Sequence, residues 1–150
     1  MKIAALAWCL AILALSGCAS VTLKPVDFSW SYESVLTADA AGYVRAEPKT
    51  IAFDASELFR AETKDPAAAG KTVRIIRSRD GYYFITSPGF RHVYIFTGDN
   101  TTLTLHKKVL IAEEGMEKPF FNRRDQGIEL VADGRVYLLG KKGIVSGGKK

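Results

Sequence analysis

The chain has 150 residues, of which 47% are hydrophobic and 25% charged, with 21 Lys and Arg against 16 Asp and Glu. These proportions are typical of one folded domain and exclude a wholly disordered chain. The hydrophobicity is uneven, because 14 of the first 17 residues are apolar and only Lys2 among them is charged. The composition therefore separates a short apolar N-terminal segment from a remainder of globular composition.

The apolar run from Ile3 to Leu15 has the length of a signal-peptide core rather than of a full membrane span. It ends in Leu15-Ser16-Gly17-Cys18. This resembles the lipobox of bacterial lipoproteins, in which a branched apolar residue and two small residues precede a cysteine. The resemblance implies a diacylglyceryl group on the Cys18 thiol, cleavage before Cys18, and in many species a further acyl chain, such as palmitate, on the new amine.

Cysteine usage agrees with lipidation. Cys9 leaves with the signal peptide, so Cys18 is the one thiol of the mature chain and no internal disulfide can form. Ala19 and Ser20 resemble the residues that permit transfer to an outer membrane. We therefore expect a lipid-anchored protein of the bacterial cell envelope, at the outer membrane. An uncleaved anchor across residues 2–24 and a secreted protein with a chance cysteine remain the alternatives.

The sequence predicts four parts. They are a lipoprotein signal peptide (1–17), a lipidated tether (18–25), a single β-rich domain (26–145) and a flexible basic tail (146–150).

The domain begins with strict alternation of apolar and polar residues from Val26 to Glu33, which predicts a half-buried strand. A turn at 39–42 leads to a candidate return strand, Tyr43–Ala46. One short helix is predicted near 54–63. Asp54 would cap it, Glu57 would complete a capping box, and its apolar face would be formed by Leu58 and Ala61.

Beyond Lys71 the sequence reads as strands joined by turns, without a fixed repeat. Two turns carry Asp-Gly, which suits the positive φ angles of tight hairpins. The fold class is therefore mainly β, an antiparallel meander forming a small barrel or sandwich. The predicted strands are 72–78, 82–87, 90–97, 101–112, 128–132 and 135–139.

The two histidines fall in one predicted hairpin. A three-residue turn at Gly98-Asp99-Asn100 would place His92 opposite His106, and would align Val93 and Ile95 with Leu105 and Leu103 in the core. Zn²⁺ needs three or four ligands, so we predict a structural pair and no metal site.

Chemistry-bearing motifs are sparse. The sequence has no nucleophile elbow and no phosphate-binding or dinucleotide loop, so we expect no catalytic residues and no cofactor. Pairs of basic residues recur, and in an exported protein they favour anionic lipid or glycan over nucleic acid, or serve to protect strand edges. The candidate binding patch is a predicted loop. It contains Phe120, Phe121, Arg123 and Arg124, where either both aromatics are exposed or one plugs the core.

Tyr43-Val44-Arg45-Ala46, Thr72-Val73-Arg74 and Asp80-Gly81-Tyr82-Tyr83 together resemble a bacterial SH3-type domain, which implies binding of cell-wall peptides in an aromatic groove. The predicted helix and the missing Gly-Trp steps depart from that family. We therefore predict a lipid-anchored, non-enzymatic binding or assembly module that contacts the membrane through its anchor, and anionic lipid, glycan or an envelope protein through its surface. The alternatives are an SH3-like wall-binding module and a small envelope hydrolase or ligand carrier.

Overall fold

The computed structural model describes residues 32–46, 51–98 and 102–149. The predicted signal peptide, Cys18, the tether and residues 26–31 of the predicted first strand lie outside this range. The described elements in chain order are β1 (Ser34–Thr37), β2 (Tyr43–Ala46), β3 (Ile51–Asp54), α1 (Ser56–Thr63), β4 (Thr72–Arg77), β5 (Tyr83–Thr86), β6 (His92–Gly98), β7 (Leu103–Leu110), β8 (Phe120–Arg124), β9 (Gly127–Ala132), β10 (Arg135–Gly140) and β11 (Gly143–Lys149).

The described strands form antiparallel sheets. The first sheet has the order β1-β4-β5-β6-β7, the second has the order β11-β10-β9-β8, and β2 pairs with β3 as a separate hairpin. All neighbours but β1 and β4 are consecutive in the chain, as a meander requires. The mainly β, antiparallel fold class with one short helix is confirmed, and the described strands do not close into a barrel.

The two sheets face each other, with β4 near β8 and β7 near β11. Alternate residues of each strand point into the space between them, because successive side chains of a strand lie on opposite faces. The core therefore contains Ile76, Phe84, Val93 and Ile95 from the first sheet. The second sheet contributes buried Phe121, Ile128, Leu130, Tyr137 and Leu139.

The helix α1 packs on the other face of the first sheet. The rings of Phe59 and Phe90 meet at 4.9 Å, and those of Phe90 and Tyr94 at 6.1 Å. β6 is thus covered on both sides, and its consecutive residues Val93, Tyr94 and Ile95 are all buried. Among the described residues no helix is long and apolar enough to cross a membrane.

The predicted helix is present, but its cap and its buried face differ from the prediction. Ala55 is the N-cap and offers no side-chain bond, while the Asp54 carboxylate accepts the Ser56 N–H at 2.8 Å. Glu57 pairs with Arg60 instead of closing a capping box. Ala61 is exposed, whereas the helix buries Leu58 and Phe59.

The two Asp-Gly turns adopt different geometries. At Asp133-Gly134 both residues have positive φ (51° and 74°), and Ala132 pairs with Arg135, as a tight two-residue hairpin requires. At Asp80-Gly81 only the glycine has positive φ, and the Ser78 N–H donates to the Tyr82 carbonyl. That hairpin therefore has a three-residue loop, 79–81, between Ser78 and Tyr82.

The predicted register of the β6–β7 hairpin is wrong. His92 lies opposite Leu110 and Thr97 opposite Thr104, with a bulge between Ile95 and Phe96. The histidines do not face each other. Val93 and Ile95 are buried as expected and Leu103 is partly buried, but Leu105 is 51% exposed.

The predicted flexible tail is also corrected in its described part. Residues 146–149 belong to β11, where Ser146 pairs with Leu138 and Gly147 with Tyr137. Two register shifts interrupt this pairing, between Val136 and Tyr137 and between Leu138 and Leu139.

Candidate functional site

A cleft of about 240 Å³ opens between the two sheets at one end of the molecule. Three hairpin turns meet there. Those between β8 and β9 and between β10 and β11 share one end of the second sheet, because alternate turns of a meander lie at the same end of its strands, and the third is the turn between β4 and β5 of the first sheet. The polar lining is Ser78, Arg79, Asp80, Arg124, Asp125, Gln126 and Lys141. Phe84 and Leu139 lie behind this lining and are buried.

Two ion pairs join the turns around this cleft. Arg79 Nη2 lies 2.8 Å from Asp125 Oδ1 and connects the first sheet to the second. Lys141 Nζ lies 4.0 Å from Asp80 Oδ2 and makes a second connection. All four side chains are at least half exposed, so each pair contributes little to stability.

Neighbouring contacts fix some of these side chains more firmly than others. The Ser78 hydroxyl donates to Asp80 Oδ1 at 2.6 Å. Arg124 is bonded to Glu129 at 2.6 Å, and this bond lowers the pKa of the Glu129 carboxyl. In addition to its long contact with Asp80, Lys141 places its Nζ 5.6 Å from the centre of the Tyr82 ring. Arg79 and Lys141 are therefore the cations that can most easily change partner.

The four residues of the predicted binding patch lie on a strand, β8, rather than in a loop. Phe120 is 40% exposed on the outer face of the second sheet, whereas Phe121 is buried in the core. Arg123 shares the inward-facing register with Phe121, opposite Ile128, and Arg124 lines the cleft. The four residues of the predicted patch thus lie on two faces of β8, and only Arg124 lines the cleft.

The outer face of the second sheet carries an apolar row. Phe120 lies opposite Val131, and Val131 lies opposite Val136, whose residue surface is 44% exposed. A shallower groove of about 380 Å³ adjoins this row and is lined by Arg124, Glu129 and Leu138 among others.

A buried carboxylate on α1 organises the opposite side of the first sheet. The side chain of Glu62 is 1% exposed. Its oxygens accept hydrogen bonds from the Arg91 N–H at 2.8 Å and the Tyr94 hydroxyl at 2.6 Å, and contact His92 Nδ1 at 2.8 Å. Lys108 Nζ lies 3.5 Å away. Glu62 therefore fastens the helix to β6 and β7.

These contacts alter two ionisation equilibria. Burial alone would raise the pKa of Glu62, but the hydrogen bonds from Tyr94 and the Arg91 N–H, with the nearby His92, outweigh burial and lower it. Burial and the adjacent Glu62 carboxylate raise the pKa of the Tyr94 hydroxyl far above its ordinary range. The structure consequently favours an ionised Glu62 beside a neutral tyrosine.

A second carboxylate, Glu33, joins the two sheets. Its Oε2 lies 2.5 Å from Arg74 Nη1 on β4, and its Oε1 accepts the Phe121 N–H of β8 at 3.0 Å. Its side chain is 12% exposed, whereas Tyr32 before it is 80% exposed. The alternation predicted a buried Tyr32 and an exposed Glu33, and the structure shows the reverse. Here burial dominates and raises the pKa of the carboxyl.

The remaining candidates are dispersed. His92 contacts Glu62, while the exposed His106 packs on the Tyr82 ring at 5.1 Å. Tyr83 lies beneath Arg77 on the other face of the sheet, so Tyr82 and Tyr83 do not share one groove. Within the described ranges, no three His, Cys, Asp or Glu side chains are grouped as metal ligands.

The cleft residues Arg79, Asp80 and Lys141 were not identified as a site from the sequence. Their turns are visible in the sequence, and in a meander every second turn lies at the same end. This rule groups Lys141 with the β8–β9 turn of the same sheet, but Arg79 and Asp80 belong to the first sheet, and how the two sheets face each other is not given by the rule. The sequence pattern does not indicate the role of Glu62, because its partners lie some thirty residues away in the chain.

Comparison with known proteins leaves the family open. No family model, no curated protein and no solved structure matches this chain.

Proposed function

We propose that this chain is a lipid-anchored protein of the bacterial cell envelope whose β-rich domain is a non-enzymatic binding or assembly module. The anchor is supported by Leu15-Ser16-Gly17-Cys18, which places a thiol directly after a signal-peptide core. Ala19 and Ser20 after the cysteine favour the outer membrane in a cell with two membranes.

The observation that carries binding is the convergence of three turns from both sheets on one charged cleft. Loops held by a rigid scaffold are common places for ligand contacts. The cross-cleft pairs Arg79–Asp125 and Lys141–Asp80 are exposed, so a ligand can replace them at small cost. The cleft therefore presents charged groups that are available for new partners.

The surface chemistry supports anionic partners. Exposed Lys107 on β7 and exposed Lys141 and Lys142 in the β10–β11 turn contribute to this surface, and the chain from Cys18 onward has 20 Lys and Arg against 16 Asp and Glu, a net charge of +4. A basic residue near an anionic bilayer contributes roughly 1 kcal/mol to binding at moderate salt. Contact with anionic lipid, glycan or an envelope protein fits this surface, and we propose no nucleic-acid partner.

The alternatives receive less support from the geometry. A carrier for a whole ligand would use an enclosed pocket of about 300–1,000 Å³; this cleft is smaller, and the groove of about 380 Å³ beside Val136 is shallow and open. An SH3-like wall-binding groove would need Tyr82 and Tyr83 on one surface, but they lie on opposite faces of the sheet. The cleft suits a small charged group better than either ligand.

The anchor is tested by intact mass and membrane fractionation. We expect the mature chain to begin at Cys18, to carry the mass of attached acyl chains and to incorporate labelled palmitate. Cys18→Ser should give an uncleaved or mislocalised precursor. Cys9→Ser is the matched control, because it removes the other cysteine within the signal peptide and should leave lipidation intact. A mature chain that starts at Cys18 without added acyl mass would contradict the proposal.

A further inference from the structure

The ion pairs around the cleft between the sheets restrict what the cleft can bind. When Arg79 leaves Asp125 and Lys141 leaves Asp80, two cations and two carboxylates become available. Arg124 adds no further free charge, since Glu129 holds it at 2.6 Å.

A simple anion or a simple amine fits this arrangement poorly. An anion bound to the two cations would lie beside two carboxylates that have lost their partners. Likewise, an amine bound to the two carboxylates would leave the two cations without their partners. A compact zwitterion satisfies both sets, because its anionic group replaces the carboxylates and its ammonium group replaces the cations.

The positions of the two cations favour a phosphate as the anionic group. Arg79 comes from the turn between β4 and β5, and Lys141 comes from the turn between β10 and β11, so they belong to different sheets. A phosphate offers acceptor oxygens in several directions, whereas a carboxylate is planar. A primary ammonium has three N–H donors, which suit two separate carboxylates.

We propose that the cleft is a binding site for an aminoalkyl phosphate, a small phosphate ester that carries a primary ammonium. Arg79 and Lys141 bind the phosphate, and Asp80 and Asp125 bind the ammonium. A cleft of about 240 Å³ accommodates a group of this size. The proposal deepens the binding role proposed above and does not depend on the lipid anchor.

The test is titration calorimetry on the mature protein in an uncharged sugar detergent, with phosphoethanolamine as the probe. We expect millimolar binding. Phosphocholine keeps both charges but has no N–H donors, and should bind at least fivefold more weakly. Inorganic phosphate and ethanolamine should each bind at least fivefold more weakly as well. Equal binding of phosphoethanolamine and inorganic phosphate would overturn the zwitterion proposal.

Variants locate the site. Lys141→Gln and Asp80→Asn should each weaken phosphoethanolamine binding at least fivefold, with the folded state verified by melting temperature. Lys142→Gln is the matched control, since this exposed neighbour does not line the cleft and should bind as the parent does. No measurable heat up to about 50 mM, or equal binding by Lys141→Gln and Lys142→Gln, would overturn the proposal.

A final arm distinguishes the source of the ligand. The protein is placed in nanodiscs of phosphatidylethanolamine or of phosphatidylcholine, and free phosphoethanolamine is titrated into each. Reduced binding only in phosphatidylethanolamine would show that the lipid headgroup occupies the cleft. Equal binding in both would assign the site to a soluble aminoalkyl phosphate. Failure of this site leaves the acyl mass on Cys18 unaffected, so the two proposals fail separately.

Discussion

The helix side of the first sheet and the open end between the sheets both gather opposite charges, but they bury them to different extents. Glu62 is 1% exposed and has several donors around it, whereas the Arg79–Asp125 pair has side chains that are 64% and 85% exposed. A buried charge must keep its partners, because an unpaired charge in the interior is costly. An exposed pair exchanges its partners readily. The first arrangement therefore holds the fold together, and the second is suited to binding.

Removing the buried carboxylate should have the largest effect. Glu62→Ala is expected to lower the free energy of unfolding by about 3 kcal/mol, because it leaves Tyr94, His92 and the Arg91 N–H without their acceptor. The matched control is Glu57→Ala on the same helix, whose exposed pair with Arg60 should be worth under about 1 kcal/mol. Urea unfolding of both variants measures the difference. Equal losses would remove the contrast between buried and exposed charges.

A smaller loss is expected when one donor is removed and the ring is kept. Tyr94→Phe should cost about 1.5 kcal/mol, since a hydrogen bond to a charged group contributes roughly 1.5–3 kcal/mol. The same substitution should raise the pKa of Glu62, because that carboxyl loses the hydrogen bond that lowers it most. Carboxyl NMR titration measures the pKa. An unchanged pKa would show that Tyr94 does not stabilise the ionised form.

The contributions of Glu62 and Glu33 to the free energy of unfolding should change with pH in opposite directions. The lowered pKa of Glu62 gives stability that is present above its ordinary value of 4.5 and is lost as the pH falls through the folded-state value. The raised pKa of Glu33 gives the reverse: its ionisation costs stability above the folded-state pKa, and this cost disappears as the pH falls.

Unfolding curves of Glu62→Gln and Glu33→Gln between pH 3.5 and pH 7 test this contrast. Relative to the parent, Glu62→Gln should lose less stability on acidification, and Glu33→Gln should lose more. Slopes that change in the same direction would contradict the opposite pKa shifts.

The smallest effect is expected at the cleft. Arg79→Ala should change the free energy of unfolding by less than about 1 kcal/mol, because its ion pair with Asp125 is exposed. Salt should reduce even this contribution. Chemical denaturation at 0.05 M and 0.5 M NaCl provides the measurement, and a loss above about 2 kcal/mol would assign the pair a structural role.

The sequence predicted those features that depend on neighbouring residues. Asp133-Gly134 marked the tight turn and thereby located β9 and β10 on either side of it. The register of β6 and β7 could not be predicted, because the bulge after Ile95 depends on how the whole sheet packs. β3 was missed because it is short and lies directly before the helix.

The cleft could not be predicted from the sequence for the same reason, because it depends on contacts between distant parts of the chain. The charges of the turn residues Arg79 and Lys141 were visible, but their meeting depends on how the two sheets face each other. The patch at Phe120 was interpreted as a loop, whereas pairing with β9 makes it a strand. Strand geometry then sends Phe120 and Phe121 to opposite faces.

β1 has a mechanical consequence for any protein that is tethered by its N-terminal end. It is a four-residue strand beside β4, and tension applied from the N-terminal side reaches it before any other described strand. Glu33 lies directly ahead of it, clamped to both Arg74 and the Phe121 N–H. This clamp must break before Ser34 can peel away from Ile75. Among the described residues, resistance to pulling from that end is therefore set first by a single carboxylate, and only afterwards by the hydrogen bonds of the strand.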